Sequence, residues 1–251
     1  MRHQRPDGTV LVRTYPLTFL HDHVERAHTH GWDQLTYAAS GAMRVDTEAA
    51  SWLVPPHCAV WLPAGTMHVE YMHGPVSVRT LYFVPGLVKA LPRRCGIVNI
   101  SALMRELILH VSRIGALDRK IAPQARLIGV LLDALGSFSD VPLQLPMPRD
   151  ARARRFTGLL QERPDEKATI ARLSRGAGAG RRTIERLFVS ETKMTVGEWR
   201  RRLRLLRAVQ LLAKGESVTN AALDAGYSSM SAFIAVFRKA FGTTPGRYPG
   251  G

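Results

Sequence analysis

Cysteine is almost missing from this sequence: Cys58 and Cys95 are the two among 251 residues. Two cysteines do not build a disulfide framework, and neither sits in a metal-type Cys pair. Long apolar runs are missing as well. No stretch of about 18 apolar residues occurs, so no transmembrane span is expected. The opening MRHQRPDGTVLVRT lacks the apolar segment of a secretory signal. These absences predict a soluble protein of a reducing cytoplasm, without a membrane partner. Histidine is missing from the second half, since all nine lie at or before His110. No low-complexity tract stands out.

What is present divides into two halves. Hydrophobic residues make up 45% of the chain, enough for a real core. The formal net charge is +15 and it is unevenly spread. Residues 149–251 carry 21 Lys/Arg against 9 Asp/Glu, a net +12, whereas residues 1–148 carry 14 against 11, a net +3. A basic half joined to a near-neutral half points to a polyanion, nucleic acid above all, as partner of the second half. The histidines and the positive charge occupy different regions, so the halves should differ in chemistry.

Residues 8–86 alternate short apolar, β-branched and aromatic runs with Gly and Pro. QLTYAA (34–39), AMRVDT (42–47), SWLVPP (51–56), AVWLPAG (59–65) and VSVRTLYFV (76–84) read as strands of a sandwich or barrel. From Ser101 the period becomes helical, through Leu103, Leu107, Ile108 and Val111, then Leu127, Val130, Leu131 and Ala134. SFSDVPLQLPMPRD (137–150) has three prolines and no helical period, and reads as a linker. The expected layout is a sensor domain at 1–93, a helical connector at 94–137, a linker at 138–149 and a helical domain at 150–251.

In the basic half, Phe233, Val236, Phe237, Ala240 and Phe241 fall at i, i+3, i+4, i+7 and i+8, one apolar stripe. The other face offers Ser231, Ala232, Ala235, Arg238 and Lys239. VTNAALDAGY (218–227) is a short helix ending at Gly226. Helix, glycine turn and second helix make the helix-turn-helix pattern, whose second helix enters the major groove. One greasy face anchors such a helix and one slim face approaches base edges. ATIARLSRG (168–176), GAGAG (176–180) and RRTIERLFVSE (181–191) repeat the design. There Ile184, Leu187 and Phe188 face inward, while Arg181, Arg182, Glu185 and Arg186 face out. The arginine fork can bond both O6 and N7 of guanine, and it also pairs with phosphate. GAGAG is no phosphate loop, because it follows a helix and ends in Arg-Arg rather than Gly-Lys-Ser/Thr. Between the pairs, VGEWRRRLRLLRAVQLLAKG (196–215) is a helix of about 27 Å, long enough to hold two reading heads on adjacent groove turns. Its arginines at 200–202, 204 and 207 either contact phosphate or solvate the helix.

This half resembles the DNA-binding domain of the AraC/XylS family of bacterial transcription regulators. The resemblance covers about residues 150–249 and rests on Gly226, Tyr227, Ser228, Phe233, Phe237, Arg238, Lys239, Phe241, Gly242, Pro245 and Tyr248. It implies Arg182 and Arg186 as base contacts of the first head, with Arg181 and Thr183 beside them. In the second head it implies Met230, Ser231 and Ala235 at reading positions, flanked by Ser229, Ala232, Arg238 and Lys239. Two departures matter. Gly180 stands where the family more often has a Ser or Thr cap, and caps less well. Ala235 stands where some relatives carry arginine. It can touch a thymine methyl but cannot donate to guanine, so the second head should rely more on shape and phosphate.

In the first half, His28, His30 and Gln34 precede Gly41, and Pro63, Gly65 and His68 follow. The spacing resembles the two motifs of the cupin barrel, with Gln34 in place of the usual Glu. His28 and His30 are two apart on a strand and share a face. Three imidazoles and an amide oxygen could hold Zn, Cu, Fe or Ni. The alternative is a pocket whose histidines bind an organic effector or satisfy each other. His21, His23, His57 and His73 read as surface or loop residues. Trp32, Tyr37, Trp61 and Tyr82 read as cavity lining or plain core. The run PPHCAVWLPAGTMH also resembles regulators linked to efflux genes.

The expectation is an α+β chain of two domains, a cupin-like β-barrel with helical connector and an all-α double helix-turn-helix. It is a sequence-specific DNA-binding regulator and not an enzyme. Its partners are double-stranded DNA, a small-molecule effector, a second copy forming a homodimer, and RNA polymerase if it activates. No cofactor is required, and a divalent metal in the His28/His30/Gln34/His68 pocket stays open.

Overall fold

The computed structural model describes residues 8–136, 138, 142–162 and 169–248. Part of the expected linker, at 137 and 139–141, and Ala168 of the expected helix 168–176 lie outside them. The chain divides into two compact units, residues 1–47 with 52–140, and 48–51 with 141–251.

The first unit holds strands β1 (Val10–Phe19), β2 (His23–His28), β3 (Asp33–Ser40), β4 (Met43–Thr47), the greater part of β5 (Ala50–Val54), β6 (Cys58–Leu62), β7 (His68–Met72), β8 (Val76–Phe83) and β9 (Gly96–Asn99). Helix α1 (Ala102–Ile114), strand β10 (Ala116–Asp118) and helix α2 (Ala122–Ala134) follow. One sheet runs β10-β1-β8-β3-β6-β9, and the other contains β5-β4-β7-β2 in that order. The expected barrel is therefore two sheets and not a closed ring. The four-residue β9 and three-residue β10 end the first sheet. Short edge strands of this kind stop a ladder from continuing.

Strand β3 shows how the layers form. It lies between β8 and β6 and is buried from Asp33 to Ala38. Alternate side chains point to opposite faces of a strand. Leu35 and Tyr37 enter an apolar cluster with Trp61, Leu81, Phe83, Met104, Ile108, Val111, Ile128 and Leu131. The helices therefore pack on that face of the first sheet. Gln34 and Thr36, on the other face, are buried and polar. Buried polar groups need partners, and theirs include Glu70 on the second sheet.

The helical periods at 103–111 and 127–134 are realised in α1 and α2, with two differences. Leu103 and Val130 are exposed, and Ile128 takes the inward place expected of Val130. Tyr37 and Trp61 both belong to the helix-facing core, and Trp61 also lines a small cavity with Asp33, Pro63 and Leu91.

The second unit holds α3 (Ala151–Glu162), α4 (Ile170–Gly176), α5 (Arg181–Thr192), α6 (Val196–Ala213), α7 (Val218–Asp224) and α8 (Met230–Phe241). Thr169, Thr195, Ser217 and Ser229 cap α4, α6, α7 and α8 with side-chain oxygens. Thr195 and Glu198 form a reciprocal capping box. In the region read as linker, Gln144–Pro146 is a short strand. The Trp199 indole donates to the Pro146 carbonyl at 2.8 Å. Among the described residues, no helix is long and apolar enough to cross a membrane.

Candidate functional site

The two helix pairs of the second unit are built alike. Helix α4 ends at Ala177 and α7 at Ala225, each with backbone near the right-handed helical region. The next residue is glycine both times, with φ of 75° at Gly178 and 83° at Gly226. Only glycine takes that conformation without strain. The Arg155 guanidinium donates twice to the Ala177 carbonyl, at 3.2 and 3.1 Å, and closes the end of α4.

The inner faces are aromatic. Phe188 of α5 sits between Phe156 of α3 and Trp199 of α6, with ring centroids 5.5 and 5.8 Å away. Phe233 and Phe237 of α8 are fully buried, and Phe237 packs on both Phe241 and Tyr248. Rings locked from several sides fix which face of each helix points outward.

The outer faces carry the residues expected to meet DNA. On α5, Arg181, Arg182 and Arg186 are exposed and Thr183 is half-buried. Arg181 is held by Glu185 at 2.8 Å, whereas no ion pair with a described residue holds Arg182 or Arg186. Gly180 begins α5 without a side-chain cap. On α8, Ser231, Ala232, Ala235, Arg238 and Lys239 are exposed. Met230 is half-buried, and Ser229 serves as the N-cap, accepting from Ala232 N–H at 3.3 Å. Ser231, Ile234, Ala235, Arg238 and Lys239 line an open groove of about 730 Å³. Ile234 was missed from sequence. Its place three residues after Ser231 and four before Arg238 would have found it. On α6, Arg201 is exposed, and Arg200, Arg202, Arg204 and Arg207 are half-buried.

In the first unit the structure brings His28, His30 and His68 together. One ring nitrogen from each lies within 4.8 Å of the others. Strand pairing does much of this, since His28 stands opposite His68 in the β2–β7 register. His30 lies just beyond β2, and its carbonyl accepts from Gly65 N–H at 2.9 Å. The buried Asp33 carboxylate pins the surrounding loops, accepting from Ala64 N–H at 2.8 Å and Gly86 N–H at 3.1 Å.

Each of the three rings is oriented in the same way. Nδ1 of His28 donates to the Arg26 carbonyl at 2.8 Å. Nδ1 of His30 donates to the Trp32 carbonyl, and that of His68 to the Thr66 carbonyl, both at 2.9 Å. All three Nε2 atoms therefore face inward. Burial holds the His30 imidazole below its ordinary value, against the opposite pull of the Gln34 oxygen. Gln34 places Oε1 against His30 Nε2, and its amide nitrogen donates to Thr36 at 2.5 Å and to Glu70 at 2.8 Å. Glu70 was also missed from sequence. It is 4% exposed, with Oε1 3.9 Å from His68 Nε2. Tyr82 stacks edge-on against His30 at 5.1 Å. His21 and His23 are exposed, and His57 and His73 half-buried.

Comparison with known proteins agrees with both units. A family model for an AraC-like ligand binding domain matches residues 18–140, and one for a helix-turn-helix domain matches residues 173–249. The HTH-type transcriptional regulator NimR of Escherichia coli strain K12 is 35% identical over 221 residues, covering 88% of this chain and 81% of NimR. The regulatory protein SoxS of Salmonella typhimurium strain LT2 is 33% identical over 90 residues, 36% of this chain and 84% of SoxS. A solved structure of unsaturated-fatty-acid-bound ToxT from Vibrio cholerae aligns over 98% of this chain and 96% of that one, with 13% identity and a TM-score of 0.40. A ligand-binding domain followed by two helix-turn-helix pairs, and a relative of this identity and coverage, show that the chain belongs to the AraC family of transcription regulators and is not an enzyme.

Proposed function

We propose that this regulator reads a specific DNA site with α5 and α8, and that a small molecule held by its first unit changes the affinity for that site. The carrying observation is the outer face of α8. Ser231, Ala232 and Ala235 are exposed and small, with Arg238 and Lys239 behind them, while Phe233 and Phe237 hold the opposite face in the core. Small side chains let a helix approach base edges, and cations at its end meet phosphate. On α5, Arg182 and Arg186 supply the donors to guanine that α8 lacks. Ile234 and Ala235 are suited to thymine methyl groups.

The polar pocket of His28, His30, Gln34 and His68 is the candidate effector site, in a layout of 1–93 sensor, 94–137 connector, 138–149 linker and 150–251 DNA-binding domain. Homodimerisation through the connector is supported by the exposed apolar side chains of Leu103 on α1 and Val130 on α2. Control of an efflux or metabolic gene, and contact with RNA polymerase on activation, complete the reading.

The test is selection of bound duplexes from a random DNA pool by the full chain, followed by affinity measurement with and without a library of small metabolites and drugs. A recovered motif and an affinity that shifts with one compound are expected. Equal binding to all sequences would leave only an architectural DNA binder.

A further inference from the structure

Asp33 and Gln34 are neighbours on β3, and neighbours on a strand point to opposite faces. Gln34 joins the histidines, whereas Asp33 shares its face with Leu35 and Tyr37. On that face lies a cavity of about 260 Å³, lined by Trp61, Val88 and Leu91, by Asp33, and by Lys89 and Arg93. Trp61, Val88 and Leu91 are buried, while Lys89 and Arg93 are exposed. The Trp61 indole N–H is engaged by the Pro92 carbonyl at 3.3 Å, so the ring offers the cavity apolar surface. The wall that follows β8 is preformed by its backbone. Val84 N–H donates to the Leu11 carbonyl at 3.1 Å, and Leu87 N–H to the Val84 carbonyl at 3.0 Å.

Asp33 is 2% exposed. An ionised carboxylate offers about four lone-pair positions. Two of them accept backbone N–H groups, from Ala64 and Gly86. Both donors are neutral, and no ion pair with a described residue balances the charge. A buried charge without a counter-ion is costly, and a cation entering the cavity offsets that cost. Lys89 and Arg93 stand where the cavity meets solvent, and no ion pair with a described residue holds them either. The cavity therefore has one negative group, apolar walls and two positive groups at its rim.

We infer that this cavity binds a small zwitterion of the α-amino-acid class. The ammonium group meets Asp33, the carboxylate meets Lys89 and Arg93, and an apolar side chain lies against Trp61, Val88 and Leu91. Charge-assisted hydrogen bonds of this kind are the strong ones. The volume of about 260 Å³ falls just below the roughly 300–1,000 Å³ of drug-sized sites, which suits a metabolite of amino-acid size. A plain amine leaves the rim cations unmatched, and a plain carboxylic acid leaves Asp33 unmatched. The site is on the opposite face of the sheet from the histidine pocket. The inference therefore stands whether or not that pocket takes an effector, and whether or not the chain reads DNA.

The experiment is a calorimetric titration of the full-length chain with L-leucine, L-methionine and L-phenylalanine. Saturable binding of at least one of them, one molecule per chain, is expected. The amine lacking that compound's carboxylate, and the acid lacking its ammonium group, should each bind at least about 10-fold more weakly. Asp33→Asn should weaken binding by roughly 10-fold or more, and so should Lys89→Glu combined with Arg93→Glu. Lys120→Glu, an exposed change outside the cavity, should leave binding unchanged. Circular dichroism separates lost binding from lost folding. If Asp33→Asn unfolds, the double variant of the two exposed rim residues locates the site. Absence of saturable binding for all three amino acids overturns the inference. Equal binding of the amine or of the acid overturns the zwitterion assignment. Equal affinity in a folded Asp33→Asn protein, or in the folded double variant, places the ligand elsewhere and overturns the site.

Discussion

Tyr227 packs its ring against Phe233, with centroids 5.0 Å apart. The turn residue after Gly226 is thereby fixed to the helix expected to enter the major groove. The aromatic chain continues from Phe233 to Phe237 at 5.5 Å and on to Tyr248 at 5.3 Å. Base reading requires a helix held in one orientation, and here the orientation is set by rings rather than by polar contacts. Phe237→Ala should therefore cost about 3–5 kcal/mol of stability, the usual loss for a buried phenylalanine. Urea unfolding of the full chain, followed by tryptophan fluorescence and circular dichroism, measures it.

Arg182 and Arg181 should behave differently although they are neighbours. Arg181 is engaged by Glu185 at 2.8 Å, and Arg182 is exposed. Arg182→Ala should cost about 1–3 kcal/mol of binding on the preferred site and relax preference at one base position. Lys239→Ala should weaken binding to all sequences alike and lower the salt slope by about 1. Fluorescence anisotropy on a panel of single-base variants, at several salt concentrations, distinguishes the two patterns. A uniform loss for Arg182→Ala would make it a phosphate contact.

The two glycines of the first turn should respond oppositely to substitution. Gly178 has φ of 75°, so Gly178→Ala should destabilise the unit by roughly 1–2 kcal/mol. Gly180 has φ of −76° and open space where a side chain would stand. Gly180→Ser should add a few tenths of a kcal/mol by capping α5. Melting temperatures of the two variants should move in opposite directions from that of the native chain.

Much of this second unit was legible in the sequence because its determinants are local. Apolar residues at helical spacing, Gly178 and Gly226 at the turns, and Ser or Thr before the helices each act within a few residues. The histidine pocket was half legible. His28, His30 and His68 stand out as residue types with a spacing, but Glu70 does not. Its place depends on the β2–β7 register that sets His28 opposite His68, and on Gln34 reaching across from the other sheet. Such long-range pairings leave little trace in a short window. The one local signal was the alternation that puts His68 and Glu70 on the same face of β7. Only the closure of the barrel departs from the expected fold, and for a similar reason. Closure depends on which strand edges meet, and strand-length runs do not encode that.

Burial lowers the pKa of His57 from its ordinary value of 6.5. Below about pH 6.5 the unfolded chain then binds more protons at this site than the folded chain does. Stability should be full above that pH and fall as the pH drops through 6.5 towards the lower folded value. Urea midpoints between pH 7.5 and pH 5.5 should decline, and His57→Gln should flatten part of the slope. A midpoint that rises on acidification would reverse the assigned sign.

Cys58 is buried and its thiol is pushed up to about 12. Burial also raises Cys95. Thiolate is the reactive form, so alkylation at pH 8 should be slow in the native protein and fast in denaturant. Mass spectrometry of the alkylated chain reads this directly, and rapid labelling of Cys58 in the folded chain would contradict its burial.

Hydroxyl-radical footprinting of the native chain on its selected DNA tests the central claim most directly. Two reading helices carried by the 18-residue α6, itself about 27 Å long, should protect two patches on one face of the duplex. Their spacing should be about one helical turn, roughly 34 Å. Arg182→Ala should weaken one patch and spare the other. A single protected patch, or even protection along random DNA, would contradict the claim that α5 and α8 both read the site.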